Sequence, residues 1–102
     1  MKFTKLLCAL LATFIMTVDV TAYTPHELGG SRRTASGAEC QEGLTVALNG
    51  VPFGSIVIYE GHHYKVQDRC GYDHTLDIFV EHTKHALEIG RRKNQRIEVI
   101  TP

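Results

Sequence analysis

The chain has little of several things that would settle its class at once. Charge of one sign is missing, because its 102 residues carry 11 Lys plus Arg against 11 Asp plus Glu. That balance excludes the basic footprint of a dedicated nucleic-acid binder and the acidic excess of a solvating disordered tail. No stretch approaches the roughly 20 consecutive apolar residues that cross a bilayer as a helix, so a polytopic membrane protein is excluded and no membrane span is expected in a mature form. An internal repeat, a low-complexity linker, Cys-x-x-Cys and His-Glu-x-x-His are all absent, which leaves one small domain without the usual frame of a metal site. Six histidines are present, among them His62-His63, His74 and the His82-x-x-His85 pair. They fall in turns or on the polar side of a helix, and neither a metal nor another cofactor is expected. Arg91-Arg92-Lys93 with Arg96 forms a basic cluster that reads as the solvated approach to a strand, or as a surface for an anionic polymer.

What is present begins with a leader-like start. Lys2 and Lys5 precede the apolar run Leu6 to Met16, the charged start and short core of a secretory signal, so export is expected. Cys8 follows Leu6-Leu7 rather than a small residue, which argues against lipidation. The end of this segment falls between 17 and 22. Val20-Thr21-Ala22 suits a processing site after Ala22, yet Val18, Val20 and Ala22 also alternate as a strand would. Residues 1–22 are therefore expected to be a signal or hydrophobic segment, and 20–102 the folded domain. In an oxidising compartment Cys40 and Cys70 are a possible disulfide closing a loop of about 30 residues; the alternative is two unpaired thiols.

The remainder reads as short strands between turn chemistry. Leu44 to Leu48, Ser55 to Tyr59, Tyr64 to Asp68, Leu76 to Val80 and Ile97 to Ile100 are strand candidates. Asn49-Gly50, Pro52-Phe53-Gly54, Glu60-Gly61 and Gly71 to His74 make the turns. One helix is expected from about Glu81 to Ile89, with Ala86, Leu87 and Ile89 on its apolar side, Gly90 at its C-terminal cap and Arg91 and Arg92 near its negative end. Five or six strands with one short helix argue an all-β fold, a small closed barrel without open edges.

The residues with chemical potential are Asp68, Asp73 and Asp77. Asp77 interrupts the apolar strand Leu76 to Val80, where aspartate is disfavoured. Flanking apolar residues desolvate such a carboxylate, raise its pKa and suit it to general acid work near neutral pH. The structural alternative is pairing with Arg69, Lys65 or turn amides.

Seven segments occur in a telling order: Ala22-Tyr23-Thr24-Pro25, Thr34-Ala35-Ser36-Gly37, Val46-Ala47, Pro52-Phe53-Gly54-Ser55, Asp68-Arg69-Cys70-Gly71, Leu76-Asp77-Ile78-Phe79, and Ala86-Leu87 with Gly90-Arg91-Arg92. Together they resemble the three-aspartate (3D) domain, which is similar to the catalytic barrel of MltA-type lytic transglycosylases, to stationary-phase survival proteins and to the RlpA-like barrels. The resemblance runs from about Val20 to Ile100. It implies a six-stranded double-psi β-barrel that acts on peptidoglycan glycan strands, cleaving the β-1,4 bond between N-acetylmuramic acid and N-acetylglucosamine to leave a 1,6-anhydro product. It implies that Asp77 is the catalytic acid and base, that Asp68 holds the sugar or tunes Asp77, and that Thr34 and Ser36 bind sugar hydroxyls or an aspartate. Tyr23 is a stacking face for a sugar or a core residue.

Two departures stand out. Asn49 occupies the position of the family's first aspartate, and the loop after Asp68 is short, with Cys70-Gly71-Tyr72 in place of paired glycines. Asp73, inside that loop, is the candidate replacement charge, and with Asn49 it joins the substrate-binding candidates. The alternative function is a non-catalytic wall-glycan binding module of RlpA or expansin type. Either protein is expected to be monomeric and periplasmic, wall-associated or secreted, from a bacterium or a phage.

Overall fold

A computed structural model describes residues 12–102, so Lys2, Lys5, Cys8 and most of the apolar run lie outside the described residues. Six strands and one helix follow: β1 (Thr13–Tyr23), β2 (Thr45–Ala47), β3 (Ile56–Tyr59), β4 (His62–Asp68), β5 (Thr75–Phe79), α1 (Thr83–Ile89) and β6 (Arg92–Ile100). A 3₁₀ turn, Pro25–Leu28, follows β1. The strands close into a barrel in the order β1-β5-β2-β4-β3-β6. β1 runs parallel to β5 and β2 parallel to β4, and the other four pairings are antiparallel. The fold is all-β, a closed six-stranded barrel with one short helix.

Alternation decides which side chains fill it. Val18 and Val20 of β1, Val46 of β2, Val57 of β3, Val66 of β4, Leu76 and Ile78 of β5, and Ile97 and Val99 of β6 are buried in one cluster. Eight of these nine are β-branched, and such side chains are stiff and pack well on a pleated surface. The intervening residues point outward, and on the β1-β5-β2 wall they too are covered: Tyr23, Ala47, Phe79 and Cys40 form a second buried cluster.

The alternation of Val18, Val20 and Ala22 is strand alternation in the folded chain. Val20 pairs with Leu76 and Ala22 with Ile78, while Thr13 to Met16, the tail of the apolar run, pairs with Ile100 to Ile97. Cleavage after Ala22 would therefore remove all of β1 except Tyr23. Cys40 and Cys70 carry free thiols in this structure, Cys40 buried and Cys70 packed against the same apolar cluster. Each sits in its own loop, the Cys40 amide bonded to the Arg32 carbonyl (2.6 Å) and the Cys70 amide to Asn49 Oδ1 (3.0 Å), and the buried thiol serves as small apolar filling.

The helix begins two residues later than expected, because the Glu81 side chain pairs with Arg32 and its amide donates to Glu42 (2.9 Å). Ala86 and Ile89 pack on the core, whereas Leu87 is 76% exposed; positions three apart share a face and the intervening one does not. Gly90 ends the helix at φ 59°, ψ −136°, donating to the Ala86 carbonyl, a conformation only glycine adopts without strain. Arg91 and Arg92 serve the barrel instead of the helix end: Arg91 reaches Asp19 (2.6 Å) and Arg92 reaches Glu60 (3.2 Å) and the Tyr59 hydroxyl (3.4 Å).

A chain lacking residues 1–22 leaves the facing edges of β5 and β6 unpaired. It is expected to lose cooperative urea unfolding followed by circular dichroism, whereas a chain beginning at Ala12 keeps it.

Candidate active site

Strand register builds the site. Asp77 of β5 lies opposite Thr21 of β1 on one side and Ala47 of β2 on the other, and Ala47 in turn lies opposite Asp68 of β4. Directly paired residues point to the same face of a sheet, so Thr21, Asp77, Ala47 and Asp68 form one row on the outer wall. A bulge completes the row: β2 pairs Val46 with Val66 but Ala47 with Asp68, passing over Gln67, and such an extra residue re-aims the side chain after it.

The two aspartates of this row have different surroundings. Asp68 is 9% exposed and accepts three hydrogen bonds, from the Tyr23 hydroxyl (3.2 Å), the Ala35 amide (3.0 Å) and its neighbour's amide at Arg69 (2.9 Å). It braces the Thr34-Ala35-Ser36-Gly37 loop against the barrel. Asp77 is half-buried and accepts one side-chain hydrogen bond, from Thr21 Oγ1 (2.9 Å). Burial pushes its pKa up to about 6; the Thr21 hydrogen bond opposes this, and the negative charges of Glu27 and Asp68 add to it. No cation pairs with Asp77 among the described residues. A carboxyl group titrating there is able to give up a proton and take one back at neutral pH.

The remaining candidates fall into separate places. Tyr23 takes the core role: it is 4% exposed, meets Phe79 edge-on at 5.5 Å, and its phenol is driven up by burial and by the Asp68 charge. Thr34 is buried and its hydroxyl closes its own loop, donating to the Ala38 carbonyl (2.9 Å) beside Ser36 Oγ (2.9 Å). Ser36 is exposed and its amide bonds the Gln67 carbonyl (3.1 Å). It is the loop's backbone amide at Ala35, not either hydroxyl, that meets an aspartate. Asn49 and Asp73 belong to another cluster. The Asn49 side chain bonds both backbone groups of Cys70 (2.8 and 3.0 Å) and Asp73 Oδ1 (3.1 Å), and both residues line a cleft of about 280 Å³ with Phe14, Met16 and His74. Neither is bonded to Asp77.

Thr21 and Glu27 are the contributors that sequence reasoning missed. Thr21 lay within the residues assigned to a leader, although its spacing two before Tyr23 places both on one strand face. Glu27 follows Pro25 in the 3₁₀ turn, and no sequence pattern ties that turn to β5. Among the described residues no three His, Cys, Asp or Glu side chains gather as a metal site requires. Neither Asp77 nor Asp68 lines any of five surface clefts whose volumes run from about 230 to about 520 Å³. The chain matches no protein-family model, and no curated protein matches it.

The raised acid carries a stability signature. Its folded value of about 6 lies above the ordinary 3.8, so the fold binds the proton more tightly and loses stability as pH climbs from about 4 through 6. Asp77→Asn removes that loss: the variant and parent should match near pH 4, and above pH 6 the variant should be more stable by on the order of 2 kcal/mol in chemical denaturation. Asp68→Ala strands the Tyr23 hydroxyl and the Ala35 amide, and the same measurement should show it less stable by about 2–4 kcal/mol.

Proposed function

We propose that this chain is an exported barrel of the 3D and RlpA-like type that acts on peptidoglycan as a lytic transglycosylase. The observation that carries this reading is Asp77: a single half-buried carboxyl with a pKa raised to about 6 by burial, one hydroxyl donor and no paired cation. The two parallel pairings, β1 with β5 and β2 with β4, in an otherwise antiparallel barrel support the double-psi topology. Export is supported by Lys2, Lys5 and the apolar run after them, and processing compatible with the closed barrel falls before Thr13.

In this mechanism Asp77 enters protonated. It gives its proton to the O4 leaving oxygen of N-acetylglucosamine as the bond to the muramic C1 breaks. The resulting carboxylate then takes the proton of the muramic C6 hydroxyl while O6 bonds to C1. No water is consumed, and the carboxyl is regenerated. One group serves both steps, unlike the paired carboxylates of ordinary glycoside hydrolysis. Thr21 holds the Asp77 oxygen, and Asp68 keeps a negative charge near enough to favour the protonated form.

The second reading is a non-catalytic module that binds wall glycan. It is favoured by Asn49, whose amide is turned to Cys70 and Asp73, and by the absence of Asp77 and Asp68 from the five clefts. The partner in both readings is the glycan strand and the active form a monomer.

Purified full-length protein incubated with peptidoglycan should release anhydro-muropeptides detectable by mass, with release lowered at least about 100-fold in Asp77→Asn. Binding to the wall without product, equal in parent and variant, selects the module.

A further inference from the structure

A groove that neither Asp77 nor Asp68 lines runs between α1 and the β3-β4 hairpin. Two adjoining lobes of about 230 and 260 Å³ share His62, Tyr64, Ile78, His85 and Ile89, so they form one continuous depression. Its base is apolar, since Ile78 belongs to the barrel core and Ile89 and Tyr64 pack against that core. Tyr64 also carries a ring contact to His62 at 4.3 Å between centroids. The helix above it buries none of its residues, which leaves the groove open along that side.

The polar groups around it have a definite state. Glu60 is paired with Arg92 (3.2 Å), while Glu42 accepts from the Glu81 amide (2.9 Å) and lies 3.6 Å from the His85 ring. Glu60 and Arg92 therefore offset one another at one end of the groove. Other hydrogen-bonding groups are left over. The Tyr64 hydroxyl has no hydrogen-bond partner among the described residues. His62 uses Nε2 on the Gly43 carbonyl (2.7 Å); a carbonyl only accepts, so Nε2 donates and Nδ1 is left over. His85 faces Glu42 through Nδ1 and has Nε2 remaining.

We infer that this groove binds a neutral saccharide ring. A sugar presents what the site lacks: one face of C–H bonds to lie on Tyr64 and Ile89, and an edge of hydroxyls that both donate and accept. The inference deepens the glycan reading, yet it rests on Tyr64, His62 and His85 and not on the acid of the outer wall.

The test is a nuclear magnetic resonance titration of the ¹⁵N-labelled full chain with tri-N-acetylchitotriose, with inorganic phosphate and free lysine as charged controls. Amide shifts centred on residues 59–64 and 85–89 are expected with the sugar alone. Tyr64→Phe, which keeps the ring, and His85→Ala, at an exposed position, should each weaken binding about three- to tenfold, while Glu98→Gln, at an exposed position of β6 outside the groove, binds as the parent does. Absence of shifts in those segments, equal affinity in all variants, or equal binding of either charged control overturns the inference. The cleavage assay depends on Asp77 and this titration on Tyr64, so failure of one is distinguishable from failure of the other.

Discussion

The barrel closes because β1 is paired along both edges, parallel to β5 and antiparallel to β6. With that strand in place no backbone edge of the six is left open, and the inward valines and isoleucines complete a core that a chain of this size has little apolar material to build otherwise. The same strand carries Thr21 and Tyr23 on its outer face, one bonded to each aspartate. Barrel closure and the electrostatics of the outer wall therefore depend on one segment.

Two carboxylates on a shared row are separated in character by what they touch. Asp68 is satisfied by two amides and a phenol and acts as the anchor of a loop. Asp77 has one hydroxyl and the negative charges of Glu27 and Asp68 as company. Burial, with like charge adding to it, raises the pKa of the second. Such a division of neighbouring acids, one a bonded brace and the other with a raised pKa, suits general acid chemistry near neutral pH.

Much of this was legible from local pattern. Val57, Val66, Leu76 and Ile78 alternate as half-buried strands must, Gly54 and Gly90 sit where the backbone takes positive φ, and Asp77 inside Leu76-Asp77-Ile78-Phe79 signalled a desolvated carboxyl. Other features had no local signature. Leu87 belongs to the apolar residues of α1 by type, yet the short helix turns it to solvent. Arg91 and Arg92 look like helix-end charges, but Asp19 and Glu60, distant in sequence, are the stronger partners.

Taken alone, the order of residues determined that the chain is strand-rich, that one short helix ends at Gly90, and that Asp77 sits in an apolar strand, because alternation, turn residues and glycine conformations act over a few neighbours. Tertiary structure alone decided that Thr13–Tyr23 is a barrel strand, that Ala47 has Asp68 on one side and Asp77 on the other, and that Asn49 and Asp73 stand apart from them. Those outcomes depend on register between strands up to 87 residues apart, from Thr13 to Ile100, and register is set by the burial of whole faces at once, which no short window of sequence contains.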